Sequence, residues 1–439
     1  MGDRSAARVV VLGAGFAGLR AVRRLARAGM RVLWVDGRNY HCFLPLLYQV
    51  ATAGLEPQEI AYPARSILRR LPTAEFRLAH VVGGDPVGRT LLTAAGDRLA
   101  YDYLIVATGG AAEDFGIPGA RDAAFRLYDL EDARLLRNHV LRTLEQAEAL
   151  DDPAARTALL TFVIVGGGPT GVEMAGALAE FRRHVVPRDY RHFHPGALRI
   201  VLLEAGPELL PPFASRLRQR ACRDLAERDV EVRTGAKVTR ITEDRVELAD
   251  GETIVTRTTI WAAGIRAAPV STYLGLPTGR SGRIRVDPTL RVPGYPRVFA
   301  AGDVTLVDGA ERLPQVAQVA IQQGEHAAEN VLRILRGDPA LPFAYRDKGS
   351  MATIGRSRAV AMIGRWQVAG HLAWLLWLVV HLVMLIGFRN RLVVLVNWAW
   401  SYLTYDFGLR AIVGAEPEPG HRIAPAPDAA RQRAAGAAS

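Results

Sequence analysis

Cysteine and lysine are the scarce residues of this 439-residue chain. Its two cysteines, Cys42 and Cys222, stand far apart and form no C-x-x-C or C-x₄-C pair, which excludes a disulfide framework and a cysteine-built metal site. Lys237 and Lys348 are the only lysines, so the net charge of +11, from 55 basic and 44 acidic residues, is carried by arginine. Arginine is spread along the chain, not clustered, which argues against nucleic acid as a partner and for an anionic membrane surface or anionic cofactors. No cleavable apolar segment precedes the first strand at Val9, so the chain is expected to stay in the cytoplasm. No run of helices carries buried ionisable residues, which leaves no route for pumping protons. The length predicts two to three domains, at roughly 100–200 residues each.

What the chain does have is glycine in a repeated setting. Arg8–Asp36 reads as strand, turn, helix, strand: Val9–Leu12 is a short β-branched run, Gly13-Ala14-Gly15-Phe16-Ala17-Gly18 is a G-x-G-x-x-G turn, and Leu19 to Leu25 are apolar at helical spacing. Val32–Val35 then leads to Asp36. Gly13 permits the tight turn, Gly15 lets backbone N–H groups approach a pyrophosphate, Gly18 lets helix and strand pack closely, and Asp36 can accept from a ribose diol. The pattern returns with the strand Thr161–Val165, the turn Gly166-Gly167-Gly168-Pro169-Thr170-Gly171, the helix Val172–Phe181 and the strand Arg199–Leu203 with Glu204 at its end. Two such units imply an α/β fold with two Rossmann-like domains binding two dinucleotides. A carboxylate at Glu204 suits the free 2′-OH of NADH and would face the 2′-phosphate of NADPH charge to charge, so NADH is expected.

Three further stretches complete the pattern. Asn39–Ile60 has the aromatic and proline content of a packed loop over a ligand, Pro63–Leu71 reads as a helix and Phe76–Asp85 as an edge strand. Thr108-Gly109 ends a strand where backbone can approach a flat ligand, or is an ordinary strand-to-loop turn. Phe299–Asp303 is a buried strand, a glycine turn and a carboxylate; in a two-dinucleotide fold such an Asp303 meets the ribityl chain of FAD, the plain alternative being a cap for the next segment. In Gln315–Leu332, Ala317, Ala320 and Gly324 are small at helical spacing, suited to lying against a planar ring. Gln318 and Gln322 share a face and could bond quinone carbonyls, or be simply solvated.

With these residues in place, the chain resembles the type II, non-proton-pumping NADH:quinone oxidoreductases, monotopic flavoproteins with two dinucleotide-binding domains. The resemblance runs from Arg8 to about Val413 and rests on GAGFAG, NYHCFLPLLYQVATAGL, ATGG at Ala107–Gly110, GGGPTGVE at Gly166–Glu173, AGD ending at Asp303 and AQVAIQQGE at Ala317–Glu325. It implies FAD, tightly but non-covalently held, at Gly13, Gly15, Phe16, Gly18, Asp36, Val82, Thr108, Gly109, Asp303, Ala317 and Gln318. It implies NADH at Gly166, Gly168, Thr170, Gly171, Glu173, Glu204 and Gly264, a quinone slot near Gln318 and Gln322, no metal, and a homodimer. Glu173 matches the glutamate beside the isoalloxazine and nicotinamide and is the catalytic candidate, its plainer role being an acid in a helix first turn. The expected domains are an FAD-binding domain from residues 1–130 and 276–345, an inserted NADH-binding domain at 131–275, a membrane-anchoring region at 346–415 and a disordered tail at 416–439. Disulfide reductases and sulfide:quinone oxidoreductases of similar build need flavin-proximal cysteines that Cys42 and Cys222 do not match.

The last stretch must connect such a fold to a lipid-soluble substrate. Ala369–Phe388 is apolar for 20 residues, long enough to cross a hydrocarbon core of about 30 Å, with His371 and His381 interrupting it as interface-facing polar residues. After a break at Gly387–Arg391, Asn397, Ser401 and Thr404 form a polar stripe opposite Leu392, Val393, Leu395, Val396, Trp398 and Trp400, with Arg389, Arg391 and Arg410 available to lipid phosphates. Both segments read as one interfacial anchor on the cytoplasmic face of the membrane; a single span, or a buried helix of a dimer interface, is the alternative. The expected reaction is hydride transfer from NADH to FAD and two-electron reduction of a membrane quinone, menaquinone or ubiquinone. A soluble flavin-dependent NAD(P)H reductase and a non-catalytic redox-sensing flavoprotein are the competing readings.

Overall fold

The computed structural model describes residues 7–309, 313–404 and 409–414, without the side chains of 401–404; the tail expected at 416–439 lies outside the described residues. Two parallel sheets organise the chain. The first has the strand order Arg291–Val292, Tyr295–Ala300, Tyr103–Val106, Arg8–Leu12, Arg31–Asp36, Ala74–Leu78, and the pairs from Tyr295–Ala300 onward are parallel. The second runs Phe125–Arg126, Thr258–Trp261, Thr161–Val165, Arg199–Glu204, Val230–Thr234, parallel throughout. The central strands of both sheets are buried on both faces, which is why they read as continuous runs of Val, Ile and Leu.

Two short strands, Gly110–Ala112 and Ile265–Ala267, pair antiparallel and carry the chain out of the first unit and back. The inserted unit therefore lies between them, and the strand Phe125–Arg126 already belongs to its sheet. Both crossings come earlier in the chain than the expected boundaries at 131 and 275. The expected edge strand Phe76–Asp85 divides at Leu78: Ala74–Leu78 closes the first sheet, while Val81–Asp85 belongs to a separate three-stranded sheet. Helix in Pro63–Leu71 is confined to Ala64–Leu68.

The helix Phe16–Arg27 follows the first glycine turn and is covered by the helix Ala317–Leu335. A Cβ on Gly324 would lie 2.1 Å from the Ala17 carbonyl oxygen, so only glycine permits this approach. Gly324 thus serves helix-on-helix packing, while Ala320 lies beside Gly302 in the turn before Asp303.

Beyond residue 349 the chain adds an antiparallel sheet of Ser350–Thr353, Ala359–Ile363 and Trp366–Gly370, and two helices, His371–Met384 and Phe388–Thr404. The 20-residue apolar run is broken twice. Its first residues finish a strand, and the helix stops before Leu385, where Gly387 turns the chain at φ +88 with the Tyr62 ring 2.4 Å from where a Cβ would stand. Arg391 closes the exposed helix end, donating from Nε to the Leu385 carbonyl at 2.7 Å and from its terminal nitrogen to the Val383 carbonyl at 2.7 Å. The remaining 14 residues reach about 21 Å at 1.5 Å each, short of the ~30 Å of a hydrocarbon core. Among the described residues no helix is long and apolar enough to cross a membrane.

The apolar face of the second helix turns outward as expected, except that Trp398 and the stripe residue Asn397 turn into the protein. Asn390 donates to the Glu59 carbonyl at 2.9 Å, Asn397 bonds the Glu59 carboxylate, and Trp398 is buried with its indole N–H on Gln49 Oε1 at 2.9 Å. The polar residues face the protein, and Leu372, Leu375, Val379, Val383, Leu392, Leu395, Val396 and Trp400 form the outer surface. Of the arginines assigned to lipid, Arg391 caps a helix and Arg410 pairs with Asp189 at 2.7 Å, while Arg389 is exposed. His381 is also internal, stacked on Trp377 with ring centroids 3.9 Å apart and bonded to the Trp377 carbonyl; burial pushes its pKa down to about 4. His371 is exposed, its ring tilted against Trp374.

Candidate functional site

The first glycine turn is built as its spacing requires. Gly13 sits at φ +114, and a Cβ there would lie 2.2 Å from the Ala107 carbonyl oxygen; one on Gly18 would lie 1.9 Å from the Gly13 oxygen. Gly15 faces open space, with nothing within 4 Å of its missing Cβ. Asp36 reaches back across the turn: one carboxylate oxygen accepts the Ala14 N–H at 2.5 Å and the other the Arg38 N–H at 2.7 Å. Burial raises its pKa, and those two N–H groups work against the rise. His41 locks the turn from below, Nδ1 on the Ala14 carbonyl at 2.8 Å, and Phe16 stands edge-on to the His41 ring. His41 is kept neutral by burial, its pKa near 4. The reading of NYHCF as a loop over a ligand carried the signal for His41, but a single histidine there did not disclose its partner.

Around the mouth of this turn stand the other residues of the first set. The Thr108 hydroxyl is buried without a hydrogen-bond partner. Gly109, at φ +70, lies beside the Tyr128 hydroxyl, which accepts the Gly110 N–H at 2.7 Å. Burial pushes the Asp303 carboxyl up to about 6, opposed by Arg283. Val82 is half-buried on a bulged strand just beyond His80, whose ring covers Gly37 next to Asp36. Ala317 opens its helix, and the buried Gln323, which no sequence signal singled out, accepts the Gly302 N–H at 2.7 Å on Oε1 and so fixes the turn before Asp303. An open Gly15, an unpartnered Thr108 hydroxyl and a buried carboxyl at Asp303 fit the phosphate, ring and ribityl groups of a flavin dinucleotide.

The second turn repeats the geometry. Gly166 sits at φ +116 against Ala262, Gly171 packs on the Gly166 oxygen, Gly168 faces open space and Thr170 is exposed. Glu204 accepts the Gly167 and Gly206 N–H groups, one on each oxygen, both at 2.6 Å. Gly264 accepts the Glu113 N–H at 3.0 Å, and the exposed Phe115 ring lies 2.7 Å from where its Cβ would be.

Glu173, two residues past Gly171, is where the second unit departs from the first. Its carboxyl is buried, Oε1 accepts the Thr353 N–H at 3.3 Å, and burial raises its pKa to about 8. The Trp377 indole, with no formed hydrogen bond of its own, pulls the other way. Gly176 permits this contact, since a Cβ there would lie 2.4 Å from the Gly355 nitrogen. Thr353 also lines a cavity that is open on one side, walled by Tyr48, Gln49, Trp374, Trp377 and Trp398. A chain of hydrogen bonds runs along it, from the Trp398 indole to Gln49, from the Gln49 amide to the Tyr48 hydroxyl at 3.0 Å, and on to Thr353 Oγ1 at 3.0 Å.

Gln318 and Gln322 stand elsewhere. Gln318 donates to the Gly349 carbonyl at 2.9 Å and accepts the Lys348 N–H at 3.0 Å; Gln322 donates to the Arg346 carbonyl at 2.9 Å and accepts the Arg346 N–H at 3.0 Å. Both amides act as backbone surrogates that tie residues 346–349 to the helix, which leaves neither amide pair directed at a ligand carbonyl. Cys42 and Cys222 are both free, and burial raises the Cys42 thiol to about 12.

Residues 7–324 match the family described as pyridine nucleotide-disulphide oxidoreductase, and residues 348–405 match the NDH2 C-terminal domain. The chain is 40% identical over 411 residues to the type II NADH:quinone oxidoreductase Ndh of Mycobacterium tuberculosis, covering 90% of this chain and 88% of that one. It is 30% identical to the type II NADH:quinone oxidoreductase of Staphylococcus aureus, over 83% of this chain and 91% of that one. In fold it is similar to NDH2 from Plasmodium falciparum in complex with NADH, with a TM-score of 0.85, 19% identity and coverage of 93% and 100%. The sulfide:quinone oxidoreductase of Aquifex aeolicus shares the fold at a TM-score of 0.72, with 19% identity over 88% of this chain and 92% of that one. With both family matches and 40% identity across nine-tenths of its length, the chain belongs to the type II NADH:quinone oxidoreductase family.

Proposed function

We propose that this chain is a respiratory NADH dehydrogenase that oxidises NADH and reduces a membrane quinone without moving protons across the membrane. The carrying observation is Glu173: one carboxyl sits at the start of the helix that would cradle NADH and against the strand that lines the aromatic cavity. FAD would be held by the first turn, Asp36, Thr108 and Asp303; when bound, it accepts a hydride from NADH and hands the electron pair to the quinone. Gly166, Gly168 and Gly171 would receive the NADH pyrophosphate, and Glu204 its ribose hydroxyl, a choice that disfavours the phosphate of NADPH. Glu173, protonated at neutral pH, would hold a proton beside the nicotinamide and the cavity.

The quinone reading moves from Gln318 and Gln322 to the cavity under Trp374, Trp377 and Trp398. Three tryptophans wall one side of it, Tyr48, Gln49 and Thr353 offer hydrogen bonds on the other, and it lies beneath the two C-terminal helices. Their outward Leu, Val and Trp side chains support attachment to lipid, each inserted large residue contributing roughly 1.5–3 kcal/mol. The cytoplasmic face and a homodimer belong to the same proposal, and light scattering of the detergent-solubilised protein tests the dimer. Stopped-flow mixing tests the whole: the flavin absorbance should bleach with NADH far faster than with NADPH and return on addition of a short-chain quinone. Protein that is colourless after reconstitution with FAD, or that bleaches with NADH and stays bleached with quinone, overturns the reading.

A further inference from the structure

Quinone reduction leaves a proton to be found. NADH supplies two electrons and one hydrogen, and a quinol needs two hydrogens, so each turnover takes one proton from water. The lipid side of the cavity is closed to it by Trp374, Trp377, Trp398 and the apolar helix surface. The same cavity has a polar end, where Glu180 and Arg356 line it.

On the helix Pro169–His184, Glu173, Ala177, Glu180 and His184 follow at spacings of four, three and four and share one face. Ala177 and Glu180 are both in the cavity wall. The oxygens of Glu180 have different duties. Oε1 accepts the Arg228 Nε–H at 3.3 Å and the Arg356 N–H at 3.2 Å, which fixes the carboxylate in place. Oε2 lies 3.4 Å from His184 Nε2, and the His184 side chain is 21% exposed. Glu180 thus stands between bulk water at His184 and the cavity. Burial above all, and then Arg183, Arg356 and Arg188 as like charges, lower the His184 pKa against the opposing pull of Glu180.

We propose that His184 and Glu180 deliver the proton consumed in quinone reduction, by way of the cavity, to Glu173 and the quinone oxygen. This rests on the functional reading above. The imidazolium of His184 gives its Nε2 proton to Glu180 Oε2; the carboxyl passes it to cavity water; His184 takes the next proton from bulk. The seven-residue rise from Glu180 to Glu173, about 10 Å along the helix, would be bridged by water entering the cavity as far as Thr353, whose N–H Glu173 accepts. Electrons take no part in the route, and one proton enters for each quinol made.

The test separates the half-reactions. His184→Ala should bleach with NADH at the wild-type rate, while its reoxidation by a short-chain ubiquinone slows about tenfold, the low end of what a positioned acid contributes. Added imidazole should restore most of that rate. Glu180→Gln should slow the same step and gain nothing from imidazole. Independently of turnover, infrared spectroscopy of the Glu173 carboxyl C=O band should show slower proton–deuterium exchange in both variants. Wild-type reoxidation by His184→Ala with unchanged exchange at Glu173 overturns the route. So does slow reoxidation that imidazole does not relieve while exchange at Glu173 is unchanged, because a packing defect then explains it. A wild-type enzyme that bleaches with NADH and never passes electrons to quinone fails at the functional reading instead.

Discussion

The two glycine turns carry nearly the same backbone, and among their sequence differences one changes the charge of the helix that follows. Two residues past the last glycine, the first unit has Arg20, half-buried near His41, and the second has Glu173, buried beneath the strand Ser350–Thr353. The local sequence builds the same cradle twice, and what covers the helix decides what the next side chain becomes. The first helix is roofed by another helix through Gly324; the second is roofed by the C-terminal sheet through Gly176 and Gly355. The second roof also walls the aromatic cavity, and there a buried carboxyl stands between a nucleotide cradle and the Thr353 strand that lines the chamber.

The same lesion in both turns should separate them most strongly. Gly13→Ala and Gly166→Ala each force a Cβ into backbone at positive φ, 2.2 Å from the Ala107 oxygen and 2.6 Å from Ala262. Each should cost on the order of 4 kcal/mol locally. Gly13→Ala should be purified without flavin absorbance, whereas Gly166→Ala should remain yellow and lose bleaching by NADH; identical phenotypes would break the division of labour between the turns.

Next in size is the corresponding pair. Glu173→Gln should slow quinone reduction by roughly 10²-fold, as for loss of a positioned acid, while Arg20→Gln stays within about twofold. Glu173 also imposes a pH dependence on stability. The folded carboxyl keeps its proton to about pH 8, and the unfolded one releases it near 4.5. In that window this group binds fewer protons in the unfolded state, so the Glu173 contribution to stability falls as pH rises from 5 to 8 and levels off above, while His41 and His381, held neutral by burial, act with the opposite sign below about 6.5. Asp303 contributes with the same sign in both proteins. Thermal melts of Glu173→Gln against wild type isolate the Glu173 share, and parallel curves would show that the carboxyl is not held neutral.

A smaller effect tests what the second roof adds. Val379 and Val383 are each 60% exposed, so Val379→Glu with Val383→Glu should leave the melting temperature within a few degrees. Sedimentation with vesicles should drop by about tenfold or more, each lost insertion costing ~1.5 kcal/mol or more. The smallest effect is expected at Gln322→Ala: about 1–2 kcal/mol of stability for its two strap hydrogen bonds, with the KM for a short-chain quinone within about twofold. A KM raised tenfold would return the quinone to that helix face.

The glycine turns and their acids were legible because every contact they need lies within one strand–turn–helix–strand unit, as in Asp36 closing on Ala14 and Glu204 on Gly167. What sequence reasoning misjudged depends on partners far along the chain. Gln318 and Gln322 look free until residues 346–349 lie beside them. The stripe containing Asn397 looks solvated until Glu59, more than three hundred residues away, is seen to hold it. The break at Gly387–Arg391 was legible, but not that Arg391 folds back on the helix carbonyls of Val383 and Leu385. Tyr48, Gln49 and Thr353 meet only in three dimensions, so the cavity had no linear signature beyond the aromatic content of Asn39–Ile60.

The antiparallel pair that joins the units brings Gly110 opposite Ala267 and Ala112 opposite Ile265. Entry and exit of the inserted domain are therefore neighbours, and its excision leaves a gap that a short turn can close at little entropic cost. Such a module is a transplantable cassette: the electron donor could be exchanged by grafting a different reductant-binding domain at these two strands, with the host sheet and its C-terminal roof left undisturbed.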